Sequence, residues 1–424
     1  MSSFRQSPSA GLHRTAAKAK GMLTSLKIKP LWEYFTRSQV LSLFSRITSS
    51  GRYLPEVDGL RFLAISMVML LHIHNYTILS RVPPLYYGSI DGAISDLLSF
   101  GQLGVPLFFS LSGFILALPF AEYFLLDGQK PVDIRQYYIR RITRLEPPYM
   151  ISMLFFFFAL IAIGRDGFWD LLQHFTASIF YLHNLIYGAG STINNNAWSL
   201  EIEIQFYMLM PLLALVFKLN STYRTVLLSF LMIAFPIMQH SLKLSHLTIF
   251  GQAQYFIVGL LLADIFTVSQ RVPVEELDKS RYGWDAIATS LFCAMPYIWK
   301  DPLLGNIAFP FLIFAFYLSV FKGNIVRRFF SYPWISAVGG MCYSIYLLHA
   351  PIISFIGRFI SRDNMGTHYF PQLLLYCCIM VPATLLISSA FFLLIEKPCM
   401  RKRPLRNVLN LKDRSPLQKL GLVE

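Results

Sequence analysis

Long apolar runs recur along most of the chain, and they constrain its fold more than any other feature. A bilayer offers no water to backbone amides, so a segment that crosses it must be helical unless it closes into a barrel. A crossing helix takes about 17 to 25 residues. Ten runs of roughly this length lie at 60–79, 103–122, 148–164, 203–218, 225–239, 248–267, 284–299, 306–321, 335–357 and 372–395. The sequence therefore predicts an all-α fold, a polytopic transmembrane helix bundle of about ten spans.

Composition and charge support this class and suggest an orientation. The chain is 55% hydrophobic and 14% charged, a profile that excludes an ordinary soluble enzyme. Residues 1–52 contain nine Lys/Arg against one acid, and residues 397–424 contain eight against two. These two ends carry the whole net charge of +14. Because positive segments beside membrane helices stay in the cytoplasm, we predict that both termini are cytoplasmic and that the number of spans is even.

The chain is divided into three predicted parts: a basic cytoplasmic N-terminal extension at 1–53, a membrane domain at 54–400 and a basic cytoplasmic tail at 401–424. The extension contains "SQVLSLFSRI", where four apolar residues recur at helical spacing beside Arg37 and Arg46. This pattern predicts an amphipathic helix lying on an anionic membrane surface. A mobile basic tail is the alternative.

One further stretch, 168–187, reads "FWDLLQHFTASIFYLHNLIY" and has the length of an eleventh span. Two histidines, Asp170 and Asn184 interrupt it, and an odd number of spans would place the two basic ends on opposite sides of the membrane. We therefore expect an interfacial or re-entrant segment that faces outward.

Residues 57–74, "VDGLRFLAISMVMLLHIH", place two polar groups in the first span. Arg61 and His72 are eleven residues apart, almost three helical turns, so they share one face at a separation of about 16 Å along the axis. A titratable group inside a membrane helix costs about 2.5 kcal/mol or more when charged, which favours a functional role. The alternative is an arginine held at the membrane interface and a histidine that a neighbouring helix satisfies.

A group of arginines precedes the third span in "YYIRRITRLEPPYM". Arg140, Arg141 and Arg144 are three and four residues apart, so a helix would gather them into one guanidinium surface. Guanidinium forks fit phosphate oxygens, and this surface at a membrane boundary could hold a phosphorylated cofactor. Ordinary enrichment of positive charge on the cytoplasmic side is the alternative explanation.

Carboxylates enter the fourth span in "NNNAWSLEIEIQFYMLMP". Glu203 and Tyr207 are four residues apart and share a helix face, whereas Glu201 lies on another face. A carboxylate inside a membrane helix normally faces the protein interior, where Glu203 could orient a histidine or accept a proton. A position at the outer membrane interface is the alternative, and it is favoured for Glu201.

The ninth span, "GGMCYSIYLLHAPII", carries His349 in its middle, with Tyr346 one turn before it. His349 is a candidate for proton transfer or substrate positioning, and a purely structural histidine is the alternative. Cys342 lies on a similar face, but nothing in the sequence indicates an activated thiol, so we interpret it as a packing residue. The five cysteines form no disulfide pattern, and no metal is expected.

Taken together, these motifs resemble the acyltransferase type 3 family, multi-span bacterial membrane enzymes that O-acylate cell-surface glycans and some small molecules. Arg61 and His72 match the family's signature of an arginine, ten residues and a histidine, and Glu203 stands at the family's glutamate position. The resemblance rests on "LPEVDGLRFLAISMVMLLHIH", "GVPLFFSLSGFIL", "YYIRRITRLEPPY", "WSLEIEIQFYMLMP", "CYSIYLLHAPII" and "LIEKPCM", in the family's order over roughly 54–400. The chain resembles the stand-alone form, but the resemblance does not explain the extension before Leu54.

The resemblance implies a cytoplasmic acyl-coenzyme A donor, most commonly acetyl-coenzyme A, and a carbohydrate hydroxyl as acceptor, free or lipid-linked. O-antigen, capsule and exopolysaccharide are the expected acceptor classes, the bacterial inner membrane is the expected location, and no nucleic acid is expected as a partner. The donor phosphates would be held by Arg61, Arg140, Arg141 and Arg144. The catalytic residues would be His72, Glu203 and His349.

Two routes remain open for His72: a general base whose tautomer Glu203 fixes, or a transient acyl carrier. A proton-coupled transporter or glycan exporter would use the same histidines and carboxylate as a proton relay. Such a protein normally has inverted repeats and spans broken by paired Gly or Pro, and the sequence has neither clearly. A non-catalytic membrane scaffold is the third possibility, and it predicts no functional coupling between Arg61 and His72.

Overall fold

The computed structural model describes residues 39–44, 46, 53–79, 89–127, 129–164, 166–270, 281–299, 303–360 and 369–400. All regular elements within these ranges are helical, so the predicted all-α class is confirmed. The α-helices are α1 Gln39–Phe44, α2 Pro55–Leu79, α3 Ile90–Ser99, α4 Gly104–Leu125, α5 Ile134–Ala162, α6 Phe168–Ile179, α7 His183–Tyr187, α8 Ala197–Leu213, α9 Ser221–Ser241, α10 Ile249–Ser269, α11 Arg281–Ile298, α12 Leu304–Lys322, α13 Ile325–Phe330, α14 Pro333–Gly340, α15 Cys342–Gly357, α16 Tyr369–Phe391 and α17 Lys397–Cys399.

The described helices confirm a polytopic membrane protein. Eight helical segments are long and apolar enough to cross a bilayer, and there are nine if the bent pair α14 and α15 forms one crossing. Helix α11 corresponds to the predicted span 284–299 and does not belong to this set. Ten spans and cytoplasmic termini therefore stay predictions.

Most of the N-terminal extension and the whole tail 401–424 lie outside the described residues. The chain divides into two compact units, Met1–Leu43 and Phe44–Glu424. Of the predicted amphipathic segment, the structure describes the six-residue helix α1 and the isolated residue Arg46. Arg46 belongs to the second unit, together with the membrane helices.

The centre of the larger unit is the packing of α4 against α10. A side chain at Gly259 would come within 2.3 Å of the Phe114 backbone nitrogen, so these two helices approach as closely as backbones can. Small residues permit this approach, which maximises dispersion contacts where lipid removes the hydrophobic advantage of burial. Phe206 of α8 stacks on Phe256 of α10 with ring centroids 4.0 Å apart. The two contacts fix α8 beside α4.

The predicted ninth span is not one continuous helix. Helices α14 and α15 meet at Met341 with a bend of 70°. Before the bend, Gly339 lies so close to α2 that an added Cβ would fall 1.6 Å from the Asp58 carbonyl oxygen. The glycine brings α14 against the first span, and the bend then directs α15 along a different path. His349 consequently lies on a helix whose direction the sequence did not predict.

The segment 168–187 folds as the short helices α6 and α7, and neither has the length to cross a membrane. The His183 Nε2 is hydrogen bonded to the His174 Nδ1 at 2.8 Å, and the His183 Nδ1 lies 3.0 Å from the Ala189 carbonyl oxygen. Burial lowers the pKa of His183, which favours its neutral form. Glu201 is completely buried rather than at the surface, and it accepts the Asn184 backbone N–H at 2.9 Å. Glu201 thus holds the segment 168–187 against α8.

Candidate active site

A cavity lies among α2, α4, α5, α8 and α15, and it includes about 810 Å³ of space unfilled by atoms, some of it open to solvent. Its polar lining changes along its length from arginines through a carboxylate to hydroxyl groups. The lining residues are Arg46, Arg61, Val105, Phe108, Phe109, Ser112, Ile115, Leu116, Arg141, Arg144, Leu145, Ser199, Leu200, Glu203, Tyr207, Cys342, Tyr343 and Tyr346.

The arginine end of the cavity begins at the first turns of α2. Asp58 is 5% exposed and accepts the Arg61 Nη1–H at 2.7 Å. The Arg46 Nη1 lies 3.5 Å from the same carboxylate oxygen. One carboxylate thus orients two guanidinium groups. The sequence predicted Arg61 at this position, whereas it placed Arg46 only beside an amphipathic helix.

Helix α5 contributes two of its three predicted arginines to the cavity. Arg141 and Arg144 line it, and the Arg141 guanidinium lies 5.9 Å from the centre of the Tyr207 ring. Arg140 is exposed and donates to Gln136 at 2.7 Å. Adjacent residues on a helix are rotated by about 100°, so Arg140 and Arg141 face different surroundings. The predicted surface of three arginines is therefore divided between the cavity and the exposed face.

A buried carboxylate, that of Glu396, lies close to the Arg144 guanidinium. Glu396 is 0% exposed, and its Oε1 lies 4.0 Å from the Arg144 Nη2. Its Oε2 accepts the Ser344 hydroxyl at 2.5 Å and the Ser344 N–H at 3.2 Å. Glu396 ends a π-helical turn that begins at Phe392. Such turns rotate the following side chains and often mark functional sites. Glu396 lies within "LIEKPCM", but the sequence alone indicated no role for it.

Along α8, the residues Ser199, Glu203 and Tyr207 recur every four positions and line successive levels of the cavity. Glu203 Oε1 accepts hydrogen bonds from the Tyr207 hydroxyl and from the Ser112 hydroxyl of α4. The predicted shared face of Glu203 and Tyr207 is confirmed. Glu203 makes these bonds instead of the predicted contact with His72, because its side chain faces α4 and the cavity.

The end of the cavity opposite the arginines is formed by Tyr346. Its hydroxyl is 2.6 Å from the Ser199 hydroxyl and donates to the Asn196 carbonyl oxygen at 3.0 Å. The Asn196 amide nitrogen lies 3.3 Å from His349 Nε2. These contacts connect the cavity wall to the buried histidine in two steps. The asparagine and serine belong to "NNNAWS", a polar run inside an apolar region that could have identified them.

His349 is fully buried, and its environment fixes its tautomer. Nδ1 lies 3.0 Å from the Ile345 carbonyl oxygen and 2.9 Å from that of Tyr346. Carbonyl oxygens only accept, so Nδ1 carries the proton and Nε2 is left as the acceptor facing Asn196. The His72 ring meets the His349 ring edge to face, with centroids 4.9 Å apart. The two predicted histidines therefore lie together, three turns of α2 beyond Arg61.

Comparison with known proteins identifies the family. The sequence model of a family described as an acyltransferase domain matches residues 54–389, most of the chain. The chain belongs to the acyltransferase type 3 family. This match confirms the resemblance that the motifs indicated. No solved structure matches it.

Several curated relatives match most of this acyltransferase chain. O-acetyltransferase OatA of Staphylococcus aureus (strain NCTC 8325 / PS 47) is 25% identical over 83% of the chain and 58% of its own length. Peptidoglycan O-acetyltransferase OatA of Listeria monocytogenes is 24% identical over 86% of the chain and 59% of its own length. A putative O-acetyltransferase, SACOL0978 of S. aureus (strain COL), is 23% identical over 82% and 57%. The chain thus spans less than three fifths of these relatives.

Proposed function

We propose that this protein is a membrane O-acetyltransferase that moves an acetyl group from cytoplasmic acetyl-coenzyme A to a hydroxyl of a cell-surface carbohydrate. The observation that carries the proposal is the cavity, which has guanidinium groups at one end and Tyr346 at the other. Neither His72 nor His349 lines it, but hydrogen bonds connect the Tyr346 wall through Asn196 to His349, whose ring contacts His72. Phosphates bind best to guanidinium groups, and acyl transfer needs a base or nucleophile such as the imidazole of His72, which lies beyond the Tyr346 wall.

The distance between the arginines and the histidine pair suits the donor. Arg61 and His72 are separated by eleven residues of one helix, about 16 Å along its axis. A pantetheine arm extends over such a length and ends in the thioester. The nucleotide phosphates would bind Arg61, Arg141 and Arg144, and the thioester would then reach the histidine pair. Arg140 is exposed in the structure and, in this proposal, contributes only to the positive potential of the cytoplasmic surface.

His72 is the proposed reactive residue. Within the described part of the chain, its imidazole makes no side-chain hydrogen bond, so its nitrogens are available to substrate. As a general base, His72 takes the proton of the acceptor hydroxyl while the hydroxyl oxygen bonds to the acyl carbon. The carbon–sulfur bond breaks, and the proton passes to the departing thiolate of coenzyme A.

The second route has the same overall balance. The unprotonated His72 nitrogen bonds to the acyl carbon, the carbon–sulfur bond breaks, and the proton on the other ring nitrogen passes to the departing thiolate. The acceptor oxygen then bonds to the acyl carbon, the carbon–nitrogen bond breaks, and the acceptor proton returns to the imidazole. His349 positions His72 in either route through the edge-to-face contact. Glu203 contributes a negative charge to the middle of the cavity, where it favours seating the donor phosphates among the arginines rather than deeper.

One of these relatives, the Listeria monocytogenes protein, is named a peptidoglycan O-acetyltransferase, and this favours peptidoglycan as the first acceptor to test, before O-antigen, capsule and exopolysaccharide. Purified protein in lipid nanodiscs is incubated with radiolabelled acetyl-coenzyme A and each glycan. Transfer of label that is lost in His72→Ala supports the proposal. If no glycan is labelled and reconstituted vesicles instead take up glycan in response to a proton gradient, the protein is a transporter and the proposal is wrong.

A further inference from the structure

One arginine of the cavity lies outside the region that the acyltransferase family model matches. Arg46 precedes that region by eight residues, yet it belongs to the same compact unit as the membrane helices. Its side chain is 10% exposed and lines the cavity beside Arg61, Arg141 and Arg144. A residue of the basic extension is therefore built into the site.

The hydrogen bonding of Arg46 is incomplete. A guanidinium has five N–H donors, and Asp58 engages one of them at 3.5 Å. Its buried Nε has no hydrogen-bond partner among the residues that the structure describes. The Nε atoms of Arg141 and Arg144 are likewise buried with no partner in the described part of the chain. Buried unpaired donors are costly, and those of charged groups cost most. Three such donors around one cavity indicate a ligand with several acceptor oxygens.

The charges lead to the same conclusion. Asp58 is shared between Arg46 and Arg61, so it cannot neutralise both. Arg46 also interacts unfavourably with the guanidinium charges of Arg141 and Arg144. Close like charges in a poorly hydrated site destabilise it unless a counter-ion is bound. Three carboxylates, those of Asp58, Glu203 and Glu396, accompany the four arginines, so a positive charge remains and the ligand that relieves the repulsion is an anion.

We propose that Arg46 is a fourth arginine of the donor site and binds a phosphate group in the nucleotide part of acyl-coenzyme A. The inference rests on the proposed function, because it takes coenzyme A as the donor. It assigns a role to one residue of the basic extension, Arg46, which lines the phosphate-binding end of the cavity. Arg46 acts in binding and takes no part in the chemical step.

The alternative role for Arg46 is purely structural, an ion pair with Asp58 of α2, and a comparison of ligands separates the two roles. Coenzyme A has nucleotide phosphates, whereas S-acetylpantetheine has none and keeps the thioester arm. Loss of a phosphate contact affects only the first ligand. Loss of a structural contact affects both, since it disturbs the cavity as a whole.

The test measures coenzyme A binding by calorimetry to the full chain in nanodiscs, and the Michaelis constants of acetyl-coenzyme A and S-acetylpantetheine. We expect Arg46→Ala to weaken coenzyme A binding about tenfold or more, as the loss of a charge-assisted hydrogen bond requires. Adenosine 3′,5′-bisphosphate should compete less well by a similar factor. The Michaelis constant for S-acetylpantetheine should not change. Arg46→Lys should recover part of the affinity, because a point charge replaces the planar fork.

Arg135→Ala is the matched control, because Arg135 is exposed and does not line the cavity. It should leave all these values unchanged. Arg46→Lys also serves if Arg46→Ala does not fold, since it keeps the charge that Asp58 contacts. Unchanged coenzyme A binding in a folded Arg46→Ala protein overturns the inference, and so does an equal loss for both donors. If the unsubstituted protein binds no coenzyme A at all, the proposed function fails as well.

Discussion

The rings of His72 and His349 meet edge to face with centroids 4.9 Å apart, although 277 residues separate them in the chain. His349 holds its proton on Nδ1, between carbonyl oxygens, and is completely buried. Its partner His72 is partly exposed and free of side-chain hydrogen bonds within the described residues. The pair therefore consists of one fixed imidazole and one available imidazole, and these differ in their expected response to substitution.

His72→Ala should abolish acetyl transfer while leaving coenzyme A binding intact, because the arginines that we propose as phosphate ligands are unaffected. Turnover with the natural acceptor, at matched protein levels, is the measurement. The combined change His72→Ala and Ile73→His should not restore activity, because it rotates the imidazole by about 100° about the axis of α2. Near-normal turnover in His72→Ala would refute its reactive role.

His349→Ala should lower both turnover and stability. It removes the ring that contacts the His72 ring. It also leaves the Asn196 amide without its acceptor, and an unpaired buried polar group lowers the free energy of unfolding by about 1 to 3 kcal/mol. The thermal midpoint of the detergent-solubilised protein should fall, with coenzyme A affinity unchanged. Asn196→Ala is the control for the hydrogen bond alone, because it keeps the His349 ring. If Asn196→Ala loses as much turnover as His349→Ala, the ring contact with His72 is not what matters.

Neighbouring arginines of α5 should behave differently. Arg144→Ala should raise the Michaelis constant for acetyl-coenzyme A roughly ten- to hundredfold, because a charge-assisted contact of about 1.5 to 3 kcal/mol is lost in ground and transition states alike. Arg140→Ala should have a much smaller effect, because its side chain bonds Gln136 on the exposed face. Equal effects of the two substitutions would show that the donor binds the exposed face of α5 rather than the cavity.

The location of the eight candidate membrane-spanning helices followed from the sequence, because the bilayer imposes one length and one backbone conformation on every crossing. The bend at Met341 did not. It depends on the contact of Gly339 with the α2 backbone, and no local pattern within α14 reports which helix will pack against it. For the same reason, the sequence does not report which of Arg140 and Arg141 faces the cavity.

The site was predicted where both partners lie on one helix and was missed where they lie on two. Arg61 and His72 share α2, and Glu203 and Tyr207 share α8, so helical spacing sufficed. The contact of His72 with His349 joins distant helices, and the sequence offered no register between them. The sequence likewise does not report how α8 is aligned with α2, and the expected contact of Glu203 with His72 was wrong for this reason.

The orientation of the protein is tested by labelling single cysteines in a cysteine-free background from each side of intact membranes. Lys130→Cys should react only from the cytoplasm, because it belongs to a predicted cytoplasmic loop. Ala189→Cys should react only from outside. Both positions are exposed in the structure, so access to reagent is not limited by burial. Labelling of both positions from the same side would contradict the proposed topology.

Glu203→Gln separates the charge of Glu203 from its hydrogen bonds. The glutamine carbonyl oxygen still accepts from Ser112 and Tyr207, so the packing of α8 against α4 should be preserved. Removal of a negative charge from a cavity lined with arginines should leave coenzyme A affinity unchanged or stronger.

Turnover should nevertheless fall in Glu203→Gln, because the donor phosphates are no longer confined to the arginine end and the thioester is misplaced relative to His72. Coenzyme A affinity and turnover are measured on the same preparation. Tyr207→Phe is the control, since it removes one hydrogen bond to Glu203 and keeps the charge. Normal turnover in Glu203→Gln combined with reduced turnover in Tyr207→Phe would mean that the hydrogen bonds, and not the charge, are required.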